Sequence, residues 1–245
     1  MKILTFVSLA ILASLVASPV GATSEYQYGK DEYVVIEDGL APNKKLSLAA
    51  HGSGEEGTLD FGVWLMAEPA HKRLAILPNM TCTSDGVSGA CLDSGADAYN
   101  AVWSPDSRHV AVTFRTNRHM LRLNVYAIEG RRAVLLRGPS LFAEVAGREI
   151  NGENDDVFDD YRSRIYNVTW RGPSRFAITE RHLFQTRDAA LAGLLGRYVK
   201  ALKVRTDDRQ MLFGFSAAGE CRLTPGHRYK VIDLKPGKFD AFEDQ

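Results

Sequence analysis

The sequence predicts an all-β chain built from repeated antiparallel four-stranded units, and three observations carry that expectation. Residues 101–114, AVWSPDSRHVAVTF, read as strand, tight turn, strand. Apolar residues run up to Trp103, Ser104-Pro105-Asp106-Ser107 supplies turn chemistry, and Val110, Val112 and Phe114 resume the alternation on one face. Short alternating runs of the same kind recur along the chain, bounded by Gly, Pro, Asn and Asp. Helical spacing of any length is confined to residues 188–203, where Leu191, Leu194, Leu195, Val199 and Leu202 recur, so a small helical insertion is expected in the last unit.

In chain order, residues 33–36 form the first strand, closed by Glu37-Asp38-Gly39. Residues 46–50, 61–66 and 73–77 complete a first unit over about residues 33–78, with Pro78 as its stop. Trp64 alternates with its neighbours as a packing residue does. A second unit, residues 99–138, holds strands at 99–103, 109–114, 121–126 and 132–136, and Glu129-Gly130 makes a hairpin turn. Leu121, Leu123 and Val125 alternate there with Arg122 and Asn124, as in a strand with one wet face. Residues 140–164 break the rhythm with a helical turn at 141–145 and an acidic loop at 151–160. A third unit, residues 165–234, has strands at 166–170, 175–179, 211–215, 221–223 and 229–234, and residues 198–204 suit either helix or strand.

The Trp103-Ser104-Pro105-Asp106 corner between two short strands resembles the WD40-like repeat of the TolB-type β-propellers. LAPNKKLSLAAHG at residues 40–52 echoes it with Pro42-Asn43, and VTWRGPSRFAITE at 168–180 keeps the indole as Trp170 but carries Gly172-Pro173-Ser174. The resemblance implies a propeller-like array of four-stranded blades in which Trp103, Pro105, Asp106 and Trp170 are structural. Three units are visible, whereas propellers close with about four or more, so either a divergent blade is hidden, the three pack as an incomplete, open or distorted array, or the exposed edges pair with another chain. The turns recur about every 65 residues, longer than the ~40–50 of common propeller repeats. The resemblance also implies a protein–protein platform working through blade loops, and it transfers no catalytic residue.

Residues 1–22 have the pattern of a signal peptide: Lys2, an apolar run over 3–16, then Pro19-Val20-Gly21-Ala22 before Thr23. The expected address is the periplasm or the exterior, with residues 23–245 as one domain and no later segment apolar enough to span a bilayer. Thirty Lys and Arg balance thirty Asp and Glu among 245 residues, so no overall field draws the chain to nucleic acid or an anionic bilayer. In an oxidising compartment Cys82 and Cys91, flanking a loop with Gly86 and Gly89, are expected to form a disulfide. Cys221 is left over, either buried as a small hydrophobe or paired between chains.

Asp155, Asp156, Asp159 and Asp160, with Asn151 and Glu153 nearby, place hard oxygen ligands together as calcium requires, although their spacing is not that of an EF-hand and a solvated acidic surface has the same composition. No other cofactor is suggested. Arg115, Arg118, His119 and Arg122 form a candidate patch for an anionic ligand or acidic partner, with pairing to carboxylates of the same molecule as the competing reading. His51-Gly52-Ser53-Gly54, similar to the glycine-rich segment that supplies oxyanion donors in esterases, reads as a flexible hairpin loop, and Gly214-Phe215-Ser216 lacks the strand-to-helix turn and second glycine of a nucleophile elbow. The expected function is that of an exported, non-catalytic binding or scaffold protein of the cell envelope, with an envelope protein or surface polymer as partner. The rivals are an envelope hydrolase using carboxylates of the 151–160 loop and a calcium-stabilised structural subunit.

Overall fold

The computed structural model describes residues 26–52, 60–83, 93–117, 120–149, 159–186, 189–204 and 211–238. The chain is all-β, and its strands fall into three antiparallel meanders. The first contains β1 (Val34–Leu40), β2 (Leu46–His51), β3 (Asp60–Ala67) and β4 (Lys72–Thr83). The second contains β5 (Tyr99–Trp103), β6 (His109–Asn117), β7 (Met120–Glu129) and β8 (Arg132–Leu136). The third runs through β9 (Asp159–Trp170), β10 (Arg175–Thr186), β12 (Met211–Thr224) and β13 (Arg228–Pro236), with β11 (Val199–Val204) added to the free edge of β12.

Several of the expected boundaries move: Glu37-Asp38-Gly39 lies inside β1 instead of closing it, β10 runs on to Thr186, and the strands expected at 211–215 and 221–223 are one continuous β12. Pro78 does not end β4: Asn79 takes a left-handed φ of 59°, a bulge shifts the register, and pairing to β3 resumes through Thr83. The detour carries Met80 into the core. Asp159 and Asp160, expected in an acidic loop, are the first residues of β9. The leucine-rich stretch resolves its ambiguity by using both options in turn: α2 (Ala189–Leu195), a 3-10 turn that begins at Gly196 with φ 50°, then β11. A short helix, α1 (Leu141–Ala146), follows β8. No helix among the described residues is long and apolar enough to cross a membrane.

The first two meanders join edge to edge into one nearly closed, barrel-like sheet of eight strands: β1 pairs in parallel with β5, and β4 comes back against β8. Tyr126 fastens the far seam, its hydroxyl donating to the Pro78 carbonyl at 2.7 Å. Burial raises the phenol's pKa above its ordinary value and keeps it a donor. Ile36, Leu48, Ala50, Phe61, Val63, Leu65, Tyr99, Ala101, Val110, Val112 and Phe114 fill the interior. The alternate positions face the other way. Ala111, Val125 and Ala127 pack against the third meander's Phe176, Ile178, Phe184, Phe213, Phe215 and Cys221, closed at one end by Leu141 and Phe142 of α1. The middle meander thus lies between two cores.

The corners that revealed the repeat are built alike. Ser104 N donates to His109 O (2.8 Å), Ser107 N to Ser104 O (2.9 Å) and Arg108 N to Asp106 Oδ1 (3.2 Å), with Ser107 at φ 58°. At the first corner Ala41 N donates to Leu46 O (2.9 Å), Lys44 N to Ala41 O (2.8 Å) and Lys45 N to Asn43 Oδ1 (2.8 Å), with Lys44 at φ 56°. Asn43 therefore does the work of Asp106. The third corner is one residue shorter, Arg171 N bonding Arg175 O with Gly172 at φ 122°. The indoles follow the same order: Trp103 Nε1 donates to Gly39 O (3.0 Å) of the first unit, and Trp170 Nε1 to Val102 O (2.8 Å) of the second. Gly39 and Val102 are equivalent positions, each two residues before its corner. Leu40, the counterpart of Trp103, is 51% exposed.

His109 stands where the second core meets the third meander, tilted against Trp170 at 5.6 Å with Nδ1 unpartnered. Burial lowers its pKa, Asp106 opposes and Arg108 adds to the lowering. The unfolded chain therefore binds this proton more readily. The resulting stability is present above the unfolded value of about 6.5 and is lost as pH falls through the lower folded value. Thermal melts from neutral to mildly acid pH should show a falling midpoint, and the fall should be smaller in His109→Gln. An identical slope in the variant would rule out His109 as a source of it.

Candidate functional site

Arg115 is consumed inside the fold. Its Nε and Nη2 donate to Asp93 Oδ2 and Oδ1, both at 2.8 Å, and the carboxylate is 1% exposed against 21% for the arginine. Neighbouring bonds hold the same segment: Tyr99 Oη donates to Asp93 O (2.7 Å) and Tyr28 Oη to Ser94 O (2.7 Å). The pair is a strut that pins residues 93–95 to the sheet, and pairing within the molecule is the reading it fits. Arg122 pairs in register with Phe114 whereas Arg115 pairs with Leu121, so the two arginines alternate to opposite faces. Arg118 and His119 lie outside the described residues.

Of the calcium candidates, Asp155 and Asp156 also lie outside the described residues, while Asp159 and Asp160 begin a strand. Among the described residues, no three His, Cys, Asp or Glu side chains are grouped as a metal would need. Cys82 sits on β4, and Cys91 is outside the described residues. Cys221 is buried and free, its thiol pushed up to about 12 by burial first and then by the fields of Glu180, Glu144 and Glu220, which keeps it protonated and unreactive. Ser216 lies within β12, buried, its hydroxyl donating to Lys238 O (3.1 Å). His51 stacks on Tyr33 at 4.2 Å and its Nδ1 bonds Glu32 O at 2.6 Å. None of these side chains has a nucleophile's setting.

A buried acid–base pair, Glu180 and His182 on β10, escaped the sequence reading. Both face the second core two positions apart. His182 Nε2 donates to Glu180 Oε1, and Glu180 Oε2 accepts from Leu141 N at 2.6 Å. Phe142 covers the imidazole edge-on at 5.1 Å, with Phe215 at 5.5 Å. The carboxylate thus ties α1 to the sheet by satisfying a donor at the helix start that the helix itself cannot satisfy. Sealed under α1, the pair is a fastening.

Cations gather on the outer face of the third meander. The register places Lys230, Arg222 and Arg175 side by side across β13, β12 and β10. Arg228 lies one row further along β13, with Arg137, just past β8, beside it through a parallel bridge. All five are exposed, and their inward neighbours Tyr229, Leu223, Cys221 and Phe176 belong to the core. The next rows bring Glu220 and Asp233, then Lys235. Among these rows Arg175 pairs with Glu220 at 3.4 Å, and no carboxylate of the described residues lies within ion-pair distance of Arg137, Arg222, Arg228 or Lys230. Six cations against two carboxylates is a strong local bias in a chain whose charges balance.

The sequence shows each of these cations singly, at the wet positions of separate strands. Only cross-strand register, which joins residues far apart in the chain, makes them one surface. No family model, no curated protein and no solved structure matches this chain.

Proposed function

We propose that the chain is an exported, non-catalytic binding protein of the cell envelope, a WD40-like, TolB-type stack of blade-like sheets that holds an acidic envelope protein on the outer face of its third sheet. The observation that carries this reading is the exposed row Lys230–Arg222–Arg175 with Arg228 and Arg137 beside it, in neighbouring β12–β13 rows whose carboxylates are Glu220 and Asp233. Arginines in a fixed lattice are well suited to carboxylate partners, because their planar forks are already oriented by the strands. Charge of this kind contributes chiefly to encounter rate and register, so binding should weaken steeply with salt.

The blade-like reading is supported by the matching corners, by the indole of each later unit bonding the equivalent carbonyl of the unit before it, and by the parallel pairing of the equivalent residues Glu37 and Asn100. Continued stacking would add a sheet on the third meander's outer face. Charged residues stand there instead of apolar ones, which favours a hydrophilic partner over another copy of the chain.

The test is a crosslinked pulldown of the mature protein from its own envelope fraction, at low and high salt, with the double variant Arg222→Glu/Lys230→Glu alongside. The expected result is an acidic partner recovered by the native protein, released by salt and lost in the variant. Equal recovery by both proteins would sink the proposal. A chelator arm checks the calcium reading through loss of thermal stability.

A further inference from the structure

We infer that the cleft between β8 and the β12–β13 turn is a seat for a phosphate-class oxyanion esterified to a small organic group. The cleft has a volume of about 430 Å³ and is lined by Val134, Leu135, Arg137, Gly226, His227 and Arg228. It lies at one end of the basic face, and its identification rests on the reading of that face as the binding surface.

Arg137 and Arg228 are direct partners in the parallel bridge: Arg137 N donates to His227 O and Tyr229 N to Arg137 O, both at 2.9 Å. Partners across a bridge project their side chains to the same side, and like charges so placed repel. The repulsion persists because the backbone leaves them no alternative. A Cβ on Gly138 would collide with the Tyr229 ring, so the strand after β8 is seated directly on that ring and cannot slide. A doubly charged tetrahedral anion between the two guanidinium groups converts repulsion into paired charge-assisted hydrogen bonds.

Glu129 is engaged by His227 Nε2 of the cleft lining at 2.7 Å, which keeps its charge turned to the imidazole. The cleft is several times larger than an inorganic phosphate, whereas a phosphoryl group with its carrier fits it, the carrier lying against the aliphatic wall of Val134 and Leu135.

The experiment is calorimetric titration of the purified protein with phenyl phosphate and, separately, inorganic phosphate. Arg137→Gln/Arg228→Gln, Arg137→Lys/Arg228→Lys and Arg222→Gln/Lys230→Gln are titrated in parallel. Expected are saturable binding of phenyl phosphate, weaker binding of inorganic phosphate, and about a tenfold or greater loss in the glutamine pair at the cleft. The lysine pair should fall between, since it keeps charge and loses the fork. The Arg222 and Lys230 variant should bind phenyl phosphate as the native protein does while losing its acidic partner, which separates the seat from the wider docking face. No saturable binding to the native protein, or equal weakening by both glutamine variants, overturns the seat. Equal affinity for the two anions overturns the carried-ester assignment in favour of the free ion.

Discussion

Glu180→Ala should destabilise the protein by about 3–5 kcal/mol, the range expected when one member of a buried ion pair is removed and its partner stays buried. The carboxylate is 2% exposed and meets two needs at once, His182 on its own strand and the Leu141 N–H at the start of α1. Alanine removes the acceptor of the Leu141 N–H and the carboxylate partner of His182 in a space walled by Phe142 and Phe215, where water has little access. Pairing Glu180→Leu with His182→Phe should restore part of the loss, because no charge is then stranded. Restoration should stay incomplete, since the Leu141 N–H is still orphaned. Denaturant titration of the three proteins measures this, and a loss below about 1 kcal/mol for Glu180→Ala would show that the pair fastens nothing.

Trp170→Ala should cost a similar amount, about 3–5 kcal/mol, by a different route. Its ring packs on Phe176 at 5.3 Å and His109 at 5.6 Å, and its Nε1 donates to Val102 O across the junction of the second and third units. Alanine removes the packing and the bond together and opens a cavity that rigid strands cannot close. Trp170→Phe keeps much of the apolar contact and strands the Val102 carbonyl, for which about 1–3 kcal/mol is expected. The difference between the variants apportions packing and hydrogen bonding. Should both cost the same small amount, the indole bridge between units would be incidental to stability.

How much of this was legible in the sequence depended on whether the deciding interaction was local. The Ser104–Asp106 corner could be read because its hydrogen bonds close within a few residues, and the strand alternation on both sides of it is a property of consecutive positions. Pro78 misled because its usual role as a strand stop was overridden by a left-handed Asn79, a conformation whose reward is tertiary: Met80 reaches the core and Thr81 regains its partner. For Arg115, pairing within the molecule could be anticipated but its partner could not, because nothing nearby in sequence announces Asp93. The basic face was invisible for the same reason, since Arg137, Arg175, Arg222 and Lys230 meet only through pairing registers. Periodicity gives each strand its wet side, and it is silent about which wet sides become neighbours.

The position of the middle meander between two cores has a bearing on how this protein can change. Val110, Val112 and Phe114 of β6 point one way and Ala111 the other, all of them buried, so none of these four positions admits a charge at little cost. Room for innovation is pushed to the outward rows of β10, β12 and β13, whose residues can be exchanged without disturbing either hydrophobic layer. A lineage carrying this scaffold is therefore free to rewrite what it recognises on its flank while its centre stays nearly fixed.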